Sequence, residues 1–249
     1  MAASLPYYAP PAQFLREKVI LVTGAGQGLG KALALSLSAF GATVILHGRQ
    51  VTKLEVVYDE IEDGGGPQPA IFPLDLESAT TRDYEAFAYA IKNQLGRLDG
   101  IVHNAARLDA IAPLHLQTLE SMLAVLRINL AAPFALTKAC LPLLKTAQQA
   151  SVIMTSANSG HAPQALWGSY AVSKAGLEAL VKIWAQEWES LPQLRINAVI
   201  PGPVHTPQRS KTHPGEVKTT LRKPDDLMSA YLYLLGGDSL GVSGQTFQL

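Results

Sequence analysis

The 249-residue sequence predicts a doubly wound α/β fold, a parallel sheet between two layers of helices in one domain. Three observations carry that prediction. Short apolar runs alternate with helical patterns at βαβ spacing from Val19 onward. The runs are apolar throughout rather than alternating with polar residues, as strands covered on both faces must be. The first run ends in a glycine-rich turn that opens a helix, which brings backbone N–H groups close to whatever lies above the sheet.

In chain order, a proline-rich arm occupies residues 1–12 and precedes a strand at Val19–Thr23. Gly24-Ala-Gly-Gln-Gly-Leu-Gly30 follows, then a helix of small residues to about Phe40. Residues 43–46 form a second strand ending at His47-Gly48-Arg49. Leu54, Val57, Tyr58 and Ile61 recur at helical spacing, closed by the turn at residues 64–67. A third strand at 70–72 ends in Asp75-Leu76. The helix marked by Tyr84, Phe87, Ala88, Ile91 and Leu95 ends at Gly96 as its C-cap. Ile101 and Val102 begin a fourth strand that runs into His103-Asn104-Ala105-Ala106. A long helical region over 119–145 contains Pro133 and Pro142, which should bend or divide it. A fifth strand at 152–154, a helix carrying Tyr170, and a sixth strand at 195–200 follow, the last ending in Pro201-Gly202. Residues 207–221 are short, polar and basic and are expected to act as a lid. A last helix starts after Pro224, and residues 245–249 are an edge-strand candidate. No linker or repeat interrupts the chain.

Twenty basic and twenty acidic residues cancel, which removes the charge argument for a nucleic-acid partner. The single cysteine, Cys140, lies in an apolar helical run and is expected to be a buried structural thiol. No His/Cys cluster has metal-ligand spacing, so no metal is expected. The N-terminus lacks the basic start and apolar core of a secretory signal. The charge-free run over 32–48 is broken by Ser36, Ser38 and Gly41, which fits helix-turn-strand rather than a membrane span. A cytoplasmic protein without membrane contact is the expectation.

Gly24, Gly28 and Gly30, with Gln27 and Leu29 between them, form a Gly-x-x-x-Gly-x-Gly loop at the start of a helix. Such a turn suits the phosphates of a dinucleotide. At the end of the second strand an acidic residue would bind the ribose hydroxyls of NAD. Here that place holds Arg49, whose guanidinium suits the extra phosphate of NADP, so NADP(H) is expected over NAD(H). Further on, Trp167-Gly-Ser-Tyr-Ala-Val-Ser-Lys174 sets Tyr170 and Lys174 four apart, on one helix face. An ammonium beside a phenol favours phenolate, so a lowered Tyr170 pKa and acid/base work follow as expectations.

Together these residues resemble the short-chain dehydrogenase/reductase family, and the resemblance spans nearly the whole chain. Thr23-Gly24-x-x-x-Gly28-x-Gly30 is similar to its cofactor loop, Asp75-Leu76 to its adenine-contacting pair, and Asn104-Ala105 to its structural N-A-G step, with Ala106 in place of glycine. Asn129 is similar to the tetrad asparagine and Tyr170/Lys174 to the Y-x-x-x-K pair. Pro201-Gly202-x-Val204-x-Thr206 resembles the segment over the nicotinamide. Within the family, Leu-Asp-Gly-Ile-Val-His-Asn and the Tyr170 stretch look similar to YciK-type oxidoreductases. The resemblance implies a Rossmann-type fold and hydride transfer between a nicotinamide and a small carbonyl or alcohol substrate. It also implies that Tyr170 moves the proton, that Lys174 holds the nicotinamide ribose, and that Asn129 anchors a relay water. A homodimer or homotetramer through the Asn129 and Tyr170 helices is implied as well.

One departure stands out. The family's catalytic serine lies thirteen positions before the tyrosine and three before a glycine, and both counts land on Ala157. Ser156 is the first substitute to consider, with Asn158 and Ser159 as others. A one-residue shift in extended chain reverses a side chain, which counts against Ser156. A group supplied by the substrate is a second explanation; if nothing replaces the serine, an NADP-binding protein with weak or lost catalysis is the alternative reading. His161, Gln164 and Trp167 flank the predicted site.

Overall fold

In the computed structural model, which describes Leu5 and residues 8–249, the first part of the predicted arm lies outside the described residues. Seven parallel strands lie in the order β3-β2-β1-β4-β5-β6-β7. They are β1 (Val19–Thr23), β2 (Thr43–Gly48), β3 (Ala70–Pro73), β4 (Gly100–His103), β5 (Ala150–Thr155), β6 (Leu194–Ile200) and β7 (Thr246–Gln248). The predicted edge strand is thus present. The strand order reverses between β1 and β4, which leaves a crevice beyond their C-terminal ends where open α/β sheets take ligands.

Successive strand residues point to opposite faces, so each strand feeds two cores. Leu21, Ile45, Ile101 and Val152 meet one cluster; Ile20, Val22, Val44, Leu46 and Val102 meet the other. That two-sided burial is why the strands read as continuous apolar runs. The first layer of helices comprises α3 (Thr81–Leu95), α5 (Ala132–Thr146) and α7 (Gly168–Glu187), with α4 (Leu119–Leu126) packed against α7. The second comprises α1 (Gly28–Ala39), α2 (Val51–Asp63) and α9 (Met228–Leu235). Two short helices, α6 (Asn158–His161) and α8 (Pro207–Thr212), sit on the C-terminal side of the sheet.

Local chemistry sets the helix ends. A Thr80/Asp83 capping box starts α3, and Gly96 at φ 72° ends it in the left-handed conformation. The two prolines of the long helical region do not divide it where they stand. The break is a π-helical turn at Arg127–Ala131, just before Pro133, closed by the Ala132 N–H on the Arg127 carbonyl. Pro133 has no N–H to return to the Asn129 carbonyl four residues earlier, which accounts for a widened turn there. Pro142 lies inside α5, which runs on to Thr146.

The described part of the arm straps α9. Tyr8 N–H donates to Ser229 Oγ, which donates back to Tyr8 O, and the Tyr8 ring packs edge-on against Phe14 and Tyr233. Arg195, buried in β6, donates to the Leu234 and Gly236 carbonyls and so caps the C-terminal end of α9. Cys140 is buried, its thiol pushed up to about 12 by desolvation. The Leu119–Thr146 rod is long and apolar enough to cross a bilayer by composition, yet its inner face belongs to the core. Leu119, Leu123 and Phe134 on its outer face are exposed, as are Val172 and Ile183 on α7. Trp184 and Trp188 are buried, stacked on each other and, for Trp184, on Phe134.

Candidate active site

The crevice above β1 and β4 is a cleft of about 1040 Å³. Its walls include Gly24, Gln27, Gly28, Leu29, Arg49, Asp75, Leu76, Asn104, Ala105, Ser156, Tyr170, Lys174, Pro201, Gly202, Val204 and Thr206. Gly30 and Asn129, also expected there, stand behind the wall. Gly30 is needed because a Cβ on it would overlap the Gly24 carbonyl, where the loop folds over the first turn of α1. Asn104 ties the loop down, donating from Nδ2 to the Thr23 carbonyl, while the Asn104 and Ala105 N–H groups both donate to Thr23 Oγ1. Thr23 is therefore the hub that joins the ends of β1 and β4.

These residues fit a dinucleotide. The N-terminus of α1 carries no side-chain cap and no acidic residue, so its first N–H groups face the cleft beside a glycine backbone. Arg49 lies at the mouth, exposed, and no carboxylate ends β2.

Tyr170 and Lys174 occupy one face of α7, as their spacing predicts. Lys174 is buried, with Nζ 5.6 Å from the Tyr170 ring centre and donating to the Thr155 carbonyl at 2.6 Å. Burial pulls the ammonium down to about 8 and pushes the phenol up to about 12. The expected lowering of the Tyr170 pKa is thus not met: Lys174 sits over the ring with its ammonium turned to Thr155, and desolvation dominates.

Asn129 sits in the π turn with both amide donors used. Its Oδ1 accepts the Arg107 N–H, and its Nδ2 donates to the Arg107 carbonyl and to Ser173 Oγ. The side chain therefore positions the chain after β4 against α7 and has no donor left for a relay water.

Ser156 is the clearest correction. Its Oγ donates to Glu178 Oε1 at 2.7 Å, and Glu178 Oε2 meets His161 Nδ1 at 2.8 Å. Glu178 lies eight residues beyond Tyr170 on α7, about 12 Å along the axis. The Ser156 hydroxyl is thus committed away from the phenol, as the one-residue shift implied. Ala157 starts α6 and lines the cleft together with Asn158 and Ser159. Ser159 Oγ is buried without a partner.

On the substrate side Gln164 and Trp167 line the cleft, whereas His161 is taken up by Glu178. Residues 207–221, expected to act as a lid, contribute Arg209, Lys211 and His213 to the walls. His213 stacks on Trp167 at 5.9 Å between ring centres, and Arg209 forms a two-bond ion pair with Glu216. Sequence reasoning missed Arg107, Lys53 and Glu178. Only the position of Lys53, four residues after Arg49, signalled its site; Arg107 and Glu178 meet their partners through the fold.

A glycine loop at the sheet's switch point, with a tyrosine–lysine pair facing it from a long helix, defines the class of nucleotide-dependent oxidoreductases. Residues 18–217 match the short chain dehydrogenase family, and the chain belongs to it. It is 38% identical over 241 residues to the Escherichia coli oxidoreductase YciK, covering 97% of this chain and 95% of that one. A short chain dehydrogenase from Pseudomonas syringae superposes with a TM-score of 0.95 at 39% identity, covering 99% of both chains. One from Shigella flexneri, crystallised with NADP, superposes at 0.93 with 38% identity, covering 96% of this chain and 99% of that one.

Proposed function

We propose that this chain is an NADP(H)-dependent oxidoreductase acting on a carbonyl/alcohol pair. The observation that carries the reading is the buried Tyr170–Lys174 pair, set on one face of α7 in the wall of a cleft built for a dinucleotide. The NADP complex of the Shigella relative and the exposed Arg49 at the mouth support NADP(H). A nicotinamide cofactor bound there supplies or receives hydride at the substrate carbon. Tyr170 holds its proton at neutral pH, because burial pushes the phenol up, and hands it to the carbonyl oxygen. Stabilising the phenolate left behind requires the Lys174 ammonium, 5.6 Å from the ring centre, to turn from the Thr155 carbonyl toward the phenol oxygen. Trp167 and His213, stacked on each other, wall the substrate side of the cleft.

The test is NADPH consumption against a panel of aldehydes, ketones and quinones, with binding followed by cofactor fluorescence. Tyr170→Phe should cut turnover at least a hundredfold while NADPH affinity stays within about threefold. Turnover retained in Tyr170→Phe refutes the mechanism. One observation favours a second reading, a cofactor-binding protein with weak catalysis: Ala157 offers no hydroxyl and Ser156 is engaged by Glu178. Tight NADPH binding without turnover across the panel would select it.

A further inference from the structure

We infer that Lys53 is a second determinant of cofactor choice, forming with Arg49 a two-cation site for the phosphate on the adenosine ribose of NADP(H). The inference rests on the NADP(H) reading above and adds a residue that neither the glycine loop nor the end of β2 contains. Lys53 lies in the first turn of α2 and lines the mouth of the cleft beside Arg49. Its Nζ reaches across to the glycine loop and donates to Gln27 Oε1 at 3.1 Å. The two segments touch along their backbones as well, since a Cβ added at Gly26 would lie 3.0 Å from Lys53 Cβ. Lys53 is thus held over the mouth by a neutral amide.

Charge makes this arrangement informative. Lys31, the other nearby lysine, is spent on Glu60 at 2.6 Å. Among the described residues, Lys53 and Arg49 have no carboxylate within ion-pair distance, and Asp75 on the cleft wall accepts from its own chain at Glu77 N–H. Two cations without counter-ions therefore flank one opening. A ribose phosphate carries between one and two negative charges at neutral pH and accepts charge-assisted hydrogen bonds that an amide oxygen cannot match. Gln27 is the partner it displaces. A ribose with free hydroxyls has no charge to offer Lys53, so the lysine acts on NADPH and is indifferent to NADH.

Fluorescence titration with NADPH and NADH tests this by binding alone. Lys53→Gln should weaken NADPH about tenfold at low salt and NADH less than twofold, and Lys53→Arg should restore the NADPH affinity. The NADPH effect should shrink as salt rises. Equal weakening of both cofactors, or no change in either, overturns the role of Lys53. If Arg49→Ala removes the NADPH preference and Lys53→Gln keeps it, the NADP(H) reading stands and this inference falls. A wild-type chain that binds both cofactors equally overturns both.

Discussion

At Ala157 the wall of the cleft presents a methyl group where the family resemblance implies a serine hydroxyl for the substrate oxygen. The neighbouring Ser156 cannot supply it, because its Oγ is bound to Glu178 and Glu178 is itself held by His161. A donor at a developing oxyanion is worth about 2.7–4 kcal/mol, or about 10²–10³ in rate. Ala157→Ser should therefore raise kcat for any carbonyl the protein reduces, by at least about tenfold, with NADPH affinity unchanged. The measurement is steady-state kinetics with the best substrate from the panel. An unchanged kcat would mean that another group, such as the unpartnered Ser159 hydroxyl, already fills the role.

Among the elements, α6 and α7 govern the site together. The single turn of α6 lies so close to α7 that a Cβ on Gly160 would collide with Lys174 Cβ. The Ser156–Glu178–His161 cluster fastens the same junction from the other side. Gly160→Ala should push α6 off the helix that carries Tyr170 and Lys174, at a cost of about 1–3 kcal/mol for overpacking. The urea midpoint reads that loss directly, and an unshifted midpoint would mean the junction yields freely. The π turn shows the same dependence on context. Pro133 was legible as a disturbance, but the widened turn sits ahead of it and places Asn129 inward against Arg107 and Ser173.

For the whole molecule, two buried histidines tie stability to pH. The His47 ring has only backbone groups of its own residue and Leu74 beside its nitrogens and lies edge-on to Phe87; His103 shares a bond with Thr137. Desolvation pulls His47 down to about 4 and His103 down to about 3. Both lie below the unfolded value near 6.5, so under that pH the unfolded chain binds protons the folded chain refuses. Stability should hold above about pH 6.5 and fall as pH drops toward 4, by roughly 1.4 kcal/mol per pH unit for each histidine. Urea unfolding at pH 7, 6 and 5 measures the slope, and His47→Leu should flatten it by about half. A wild-type midpoint independent of pH over that range would rule out the linkage.

Local sequence was enough for the architecture, because two-sided burial forces continuous apolar strands and helical spacing shows directly. Val19–Thr23, the glycine loop and the Tyr170 helix were all readable in that way, as were Lys174 as a buried residue and Cys140 as an inert thiol. The place of Arg49, directly after β2, was readable too. What the sequence could not decide was partnership. The shift pointed Ser156 away from the phenol, but its partner Glu178 lies on another element, two turns beyond Tyr170, and whether Lys174 lowers the Tyr170 pKa depends on the carbonyl of Thr155. Lys53 meets Gln27 only because α2 packs against the glycine loop. Hydrogen bonds between segments far apart in the chain have no period to betray them; only the packed sheet and its helices bring those groups within reach.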